Sequence, residues 1–250
     1  MNFQLRQHHL LAALEQHGSL EVADMARQLQ TTPITIRRDL AQLAAQGLVL
    51  RTHGGAVLPR PDKAPVAFAR KAAAQQAQKE HICRVAAGQV ADGDTLFIDC
   101  GSTTFPLCAL IRHRRVRVVT NSLPVVFELL DSAVQLILAG GEIDAARQAA
   151  HGLVAAEHLR RYQVDKAFIG VDGFSLARGL TANSEHEAAI TLAAAGVARR
   201  VFLLCDASKL EQDKFFQFAS PALVHTLITD PAAPAELLAR YRQAGLTVLT

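Results

Sequence analysis

Seven short apolar runs between residues 95 and 249, separated by stretches of helical periodicity, restrict most of this chain to one architecture. They read TLFID (95–99), VRVVT (116–120), VQLILA (134–139), KAFIGV (166–171), VFLLC (201–205), HTLIT (225–229) and LTVL (246–249). Strands that are apolar throughout, instead of alternating with polar residues, belong to a parallel sheet covered by helices on both faces. The pattern predicts an α/β fold for residues 79–250, a larger domain built on a mostly parallel sheet.

Open sheets of this kind receive ligands beyond the carboxyl ends of their strands. The first run is followed by Asp99, Cys100, Gly101, Ser102, Thr103 and Thr104, and the second by Asn121 and Ser122 after its last residue, Thr120. Gly140 and Gly141 follow the third run, Asp172 and Gly173 the fourth, and Asp206 to Lys209 the fifth. Gly101–Thr104 leads into a helix carrying Leu107 and Leu110, where backbone N–H groups and hydroxyls suit a phosphate at the helix N-terminus. The same residues also suit an ordinary turn, as Thr120–Ser122 suits a helix cap and Gly140–Gly141 a tight turn. Lys209 is more specific, because a lysine just beyond a buried strand either reaches for water or neutralises an anion. Five polar strand ends facing one way strengthen the reading of each.

The first 58 residues have a different pattern. Leu5, Leu10, Leu11 and Leu14 mark a first helix stopped by Gly18, and Val22, Met25, Ala26 and Leu29 mark a second. In TPITIRRDLAQLAAQG, Thr32 suits an N-cap, Pro33 the first helical position and Gly47 the end of the helix. Ile36, Leu40 and Leu43 then face inward, which turns Thr35, Arg37, Arg38 and Gln42 outward. LVLRTHGGAVL alternates through Leu48 and Leu50, turns at Gly54–Gly55 and returns through Ala56 to Leu58, placing Arg51 and His53 on a two-stranded wing. Three helices and a wing predict a winged helix-turn-helix over residues 1–58, whose third helix enters the major groove of duplex DNA. Residues 59–78, with three prolines and several charges, read as a linker that becomes helical.

Charge agrees with that division. The net charge is +3, but residues 1–80 carry ten Lys/Arg against six Asp/Glu, while residues 81–250 carry sixteen against seventeen. A basic head on a neutral body suits a DNA partner. No apolar run approaches the ~18 residues of a membrane span, and the N-terminus lacks a signal-peptide pattern, so a cytoplasmic protein with no membrane partner is expected. Cys83, Cys100, Cys108 and Cys205 are scattered without a CxxC spacing, which predicts free thiols and neither metal nor cofactor.

TPITIRRDLAQLAAQGLVLRTHGGAVL resembles the signature of the DeoR family of bacterial repressors, with its TIRRDL helix and R-x-HGG wing. The resemblance extends through DCGSTT, VTNS, AGG, KAFIGVDGF, GLT and DASK, over most of the chain. It implies DNA contacts at Thr35, Arg37 and Arg38, with Thr32, Arg51 and His53 bordering the duplex. It also implies an effector domain related to ribose-5-phosphate isomerase that binds a phosphorylated sugar or related metabolite. Asp99, Gly101, Ser102, Thr103 and Thr104 match its phosphate-side loop, Thr120, Asn121 and Ser122 its second loop, and Gly140 and Gly141 its third. Asp172, Gly173 and Lys209 match the sugar side, and Glu187 lies where it reaches the same pocket.

A sugar-phosphate isomerase is the enzymatic alternative, with Asp172 as base and Lys209 stabilising the enediolate. The isomerase motif D-G-A-D-E is interrupted, however: Phe174 and Ser175 follow Asp172 and Gly173. Two carboxylates are missing, which favours a pocket that binds without turnover. A nucleotide-binding regulator is less well supported, since no G-x-G-x-x-G follows TLFID and no Walker sequence occurs. The expectation is a homo-oligomeric repressor of carbohydrate catabolism genes, a dimer or tetramer.

Overall fold

The computed structural model describes residues 3–17, 19–45, 48–52, 54–57, 68 and 71–250. The chain divides into two compact units, Met1–Ala73 and Ala74–Thr250. Gly18, Gly47, His53, Leu58 and most of the expected linker lie outside the described residues.

The first unit contains α1 (Phe3–His17), β1 (Ser19–Glu21), α2 (Val22–Gln28), α3 (Pro33–Ala45), β2 (Leu50–Arg51) and β3 (Gly55–Val57). Leu10, Leu14, Met25, Ala26, Ile36, Leu40, Leu43 and Ala56 close its core. The wing has three strands, not two, because β1 pairs antiparallel with β3 on the side away from β2. The expected alternation through Leu48 is displaced: Val49 is buried and Leu48 only half-buried. The Leu48 N–H still bonds the Leu43 carbonyl at 3.0 Å, so this segment leaves the helix before the strand pleat begins.

The second unit opens with α4 (Gln76–Ala87) and β4 (Thr95–Ile98), followed by α5 (Leu107–Ile111), β5 (Arg117–Thr120), α6 (Leu123–Leu129) and β6 (Gln135–Leu138). Next come β7 (Glu142–Asp144), β8 (Ala149–His151), α7 (Gly152–Leu159), β9 (Val164–Ile169), β10 (Gly173–Ser175) and β11 (Gly179–Ala182). α8 (Glu185–Gly196), β12 (Ala198–Leu204), β13 (Phe216–Ala219), β14 (Thr226–Ile228), α9 (Ala235–Gln243) and β15 (Thr247–Leu249) complete it. The seven apolar runs coincide with β4, β5, β6, β9, β12, β14 and β15. These form one seven-stranded parallel sheet in the order β15-β14-β12-β9-β4-β5-β6.

Alternate residues of each central strand enter two separate cores, which is why both strand faces had to be apolar. Leu96, Ile98, Phe168, Phe202 and Leu204 pack with Ile82 of α4, Leu107 of α5 and Val125 of α6. Phe97, Ala167, Ile169, Val201 and Leu203 pack with Ala155 of α7, Ile190 of α8 and Leu238 of α9. Each such Leu, Ile or Phe contributes about 1.5–3 kcal/mol by leaving water. Two small antiparallel sheets, β7-β8 and β10-β11-β13, flank the main one. No helix among the described residues is long and apolar enough to cross a membrane.

Strand order fixes where a ligand can enter. From β4 the chain runs outward through β5 to β6, then returns to the other side of β4 and continues through β9, β12, β14 and β15. Its direction reverses between β4 and β9. The crevice at such a switch point, beyond the strands' carboxyl ends, is where open sheets bind ligands.

Candidate functional site

The candidate residues fall into two groups, one in each unit. In the first, Thr32 precedes α3 and its hydroxyl accepts a bond from the Thr35 N–H at 3.2 Å, the N-cap expected from the sequence. The two threonine hydroxyls also share a bond of 2.9 Å. Ile36, Leu40 and Leu43 are buried, which turns Arg37, Arg38 and Gln42 to the exposed side, with Thr35 half-buried. Asp39 is buried beneath them and takes two bonds from the Arg6 guanidinium, at 2.6 and 3.1 Å, locking α1 to α3. Arg51 is described by its backbone alone, in β2 opposite Ala56. Ile34, which sequence reasoning passed over, is 76% exposed in the first turn of α3. An apolar side chain there matches a thymine methyl better than it matches water.

In the second unit, the loop after β4 and the loop after β9 meet at the switch point. Asp99 is buried, and its carboxylate accepts bonds from the Cys100 N–H at 2.8 Å and the Gly170 N–H at 3.1 Å. Burial pushes this carboxyl above its ordinary range, against those two N–H groups and the nearby charge of Arg147. The Thr104 hydroxyl folds the loop by bonding the carbonyls of Asp99 and Gly101 at 2.8 and 2.7 Å.

Two ammonium groups reach this loop. Lys209 donates to the Thr103 hydroxyl at 3.3 Å and lies 3.7 Å from the buried Asp206 carboxylate. Lys79, only 4% exposed, donates to the neighbouring Ser102 hydroxyl at 3.1 Å. Lys79 was missed in the sequence, although the signal was present: with Ile82, Cys83 and Ala86 it occupies the buried stripe of α4 at helical spacing. A lysine on such a stripe is held there by polar partners or by an anion. The expected helix N-terminus contributes less than the loop, because α5 begins only at Leu107 and turns fill residues 102–106.

Thr120, Asn121 and Ser122 are all buried. The Thr120 hydroxyl bonds the Ile98 carbonyl at 2.7 Å, tying β5 to β4, and Ser122 caps α6 by accepting from the Val125 N–H at 3.4 Å. Asn121 donates its side-chain amide to the Ala150 carbonyl at 3.0 Å. Glu187, in the first turn of α8, pairs with Arg147 from the β7–β8 turn. Arg147 and His151 are further residues that sequence reasoning missed.

At Gly141 and Gly173, two of the other expected positions, the backbone leaves no room for a side chain. A Cβ at Gly141 would lie 2.6 Å from the His151 carbonyl and 2.8 Å from Ala155 Cβ, while the Gly140 N–H faces His158 Nδ1 at 3.4 Å. A Cβ at Gly173 would lie 2.2 Å from the Gln212 carbonyl. Asp172 is half-buried, and its carboxylate accepts two bonds from Asn183, at 3.0 and 3.2 Å. The four cysteines are free thiols. Burial pushes Cys83 and Cys205 up to about 12, and Cys100 and Cys108 higher still, so none is a ready nucleophile. Cys83 instead donates to the Thr103 carbonyl at 3.1 Å and steadies the loop.

Comparison with known proteins assigns each part of the chain to a described domain family. Residues 6–62 match the model for a DeoR-like helix-turn-helix domain, and residues 74–231 match that for a DeoR C terminal sensor domain. The glycerol-3-phosphate regulon repressor of Escherichia coli is 32% identical over 93% of each chain. The lactose phosphotransferase system repressor of Lactococcus lactis is 32% identical over 97% of each. The transcriptional repressor GlcR of Bacillus subtilis is 33% identical over 88% of this chain and 86% of its own. Ribose 5-phosphate isomerase A from Methanocaldococcus jannaschii, at 20% identity, overlaps 55% of each chain with a TM-score of 0.41, too partial to bear on activity.

Proposed function

Because this chain belongs to the DeoR family of DNA-binding transcription regulators, we propose that it represses carbohydrate catabolism genes under the control of a phosphorylated sugar or related phosphometabolite. Family membership makes it a regulator and not an isomerase. The observation that carries the effector reading is the convergence of Lys79 and Lys209 on adjacent hydroxyls, Ser102 and Thr103, at the switch point of the sheet. Ammonium groups, hydroxyls and loop N–H groups together are the equipment of a phosphate site. Relatives named for a glycerol-3-phosphate regulon and a lactose phosphotransferase system support the same class of effector.

In this reading Asp99, Gly101, Ser102, Thr103, Thr104, Lys79 and Lys209 form the phosphate side. Thr120, Asn121, Ser122, Asp172 and Glu187 border the remainder of the ligand, and Gly140, Gly141 and Gly173 shape the walls. Thr35, Arg37 and Arg38 read DNA from α3, Thr32 fixes the helix end, and the family resemblance assigns Arg51 and His53 to the border of the duplex. The protein acts in the cytoplasm as a homo-oligomer, whose paired heads occupy two half-sites.

The test uses a duplex selected by the wild-type protein from a random pool. Arg37→Ala or Arg38→Ala should abolish the gel shift while thermal stabilisation by phosphorylated metabolites persists. Lys209→Ala should bind the duplex yet no longer respond to the metabolite that acts on wild type. An unchanged shift in the arginine variants defeats the DNA assignment, and a normal response in Lys209→Ala defeats the pocket.

A further inference from the structure

Two buried polar groups beside the phosphate loop reach no hydrogen-bond partner among the described residues: both ring nitrogens of His151 and Oδ1 of Asn121. His151 ends β8 at 6% exposure, and Asn121 is fully buried beyond β5. They are neighbours by construction. The Ala150 N–H bonds the Asn121 carbonyl at 2.8 Å, and Asn121 Nδ2 returns a bond to the Ala150 carbonyl at 3.0 Å. That second bond anchors the amide nitrogen and fixes which end of the side chain is left as an acceptor.

The surroundings of His151 belong to the same site. Asp99 after β4, Asp144 of β7 and Arg147 of the β7–β8 turn all act on its ring. The His186 carbonyl at the start of α8 favours the protonated form, though it makes no hydrogen bond of normal geometry to either nitrogen. Burial, aided by Arg147, outweighs the two carboxylates and the carbonyl and lowers the ring below its ordinary value, so the imidazole is neutral near pH 7, with one donor nitrogen and one acceptor. Glu187 and Arg147 are paired with each other. What is left for a ligand is the acceptor Asn121 Oδ1 and the two nitrogens of a neutral His151, one a donor and one an acceptor. A hydroxyl both donates and accepts and so fits that set, whereas a carboxylate only accepts and leaves Asn121 Oδ1 without a donor.

We propose that His151 and Asn121 form a hydroxyl-reading subsite, so that the effector is a polyhydroxylated phosphate ester gripped at both ends: phosphate at Ser102–Thr103, and hydroxyls at His151 and Asn121. The proposal rests on the phosphate-site reading above and adds the chemistry of the ligand's other end. It also makes His151 a specificity-determining residue, because a site built to bond a hydroxyl discriminates strongly against ligands that lack it.

Calorimetric titration of the full chain tests this with four probes: inorganic phosphate, glycerol 3-phosphate, glucose 6-phosphate and 3-phosphoglycerate. Wild type should prefer one of the two polyol phosphates over inorganic phosphate and over 3-phosphoglycerate by about tenfold or more. His151→Leu should reduce that preference at least about tenfold, and His151→Gln, which keeps a donor and an acceptor, should retain part of it. Circular dichroism establishes that each variant is folded. An unaltered preference in folded His151→Leu, or an equal loss for every probe including inorganic phosphate, overturns the subsite and leaves the phosphate site standing. Failure of wild type to bind any of the probes overturns both.

Discussion

At Gly141 one methyl group decides whether the turn after β6 can close. The Cβ of an alanine would stand 2.6 Å from a backbone carbonyl in β8 and 2.8 Å from Ala155 Cβ in α7, and neither is the movable tip of a long side chain. Gly141→Ala should therefore cost about 1–3 kcal/mol, in the range of overpacked cores. Denaturant unfolding of the full chain measures it, and an unchanged midpoint would mean that α7 shifts freely. In the sequence, AGG identified a loop but not this reason, because the atoms that forbid a side chain come from β8 and α7, later in the chain. Lys79 shows the opposite case. Its place on an apolar helical stripe was readable, yet QAQKEH looks solvated until α4 is laid against the sheet. His151 is harder still, since β8 is only three residues long and its burial pattern does not alternate.

For whole elements, legibility followed length and periodicity. The seven sheet strands were visible because each feeds two cores and so carries an unbroken apolar run. β7, β8, β10 and β11 have three or four residues each, with burial that is uniform along the strand, and offer no period to detect. β1 was hidden as three residues between two helices. α3, by contrast, announced its start, its buried face and its exposed face. Its cap offers a test confined to one element. Thr32 is exposed, so Thr32→Ala loses little packing, but it removes the acceptor for the Thr35 N–H. The opening free energy of α3 should fall by about 1 kcal/mol. Native-state hydrogen exchange at the α3 amides reads this directly, with amides of β4 and β9 as an internal reference that stays unchanged. Equal loss of protection in both places would mean that the change had destabilised more than the helix end.

At the scale of the molecule, a DNA-reading unit and a sensor unit on one chain make a physical commitment beyond possessing two sites. A ligand shifts the DNA affinity only by as much as it distinguishes the DNA-competent state from the released one. If saturating effector weakens operator binding by a factor of about a hundred, the coupling is ~2.7 kcal/mol, and operator DNA must weaken effector binding by the same factor. Two titrations check it: effector into free protein, and effector into protein saturated with operator duplex. The two Kd values should differ by the factor that effector imposes on DNA affinity in a separate gel-shift series. All three should be measured at one ionic strength, because phosphate contacts make DNA affinity fall as salt rises. In Lys209→Ala the two effector titrations should converge on equally weak binding, since an effector that no longer binds strongly to either state has nothing to distinguish. A hundredfold effect on DNA with identical effector affinities in the two titrations would violate linkage for a single effector site. It would place the control of DNA binding somewhere other than the Ser102–Thr103 pocket.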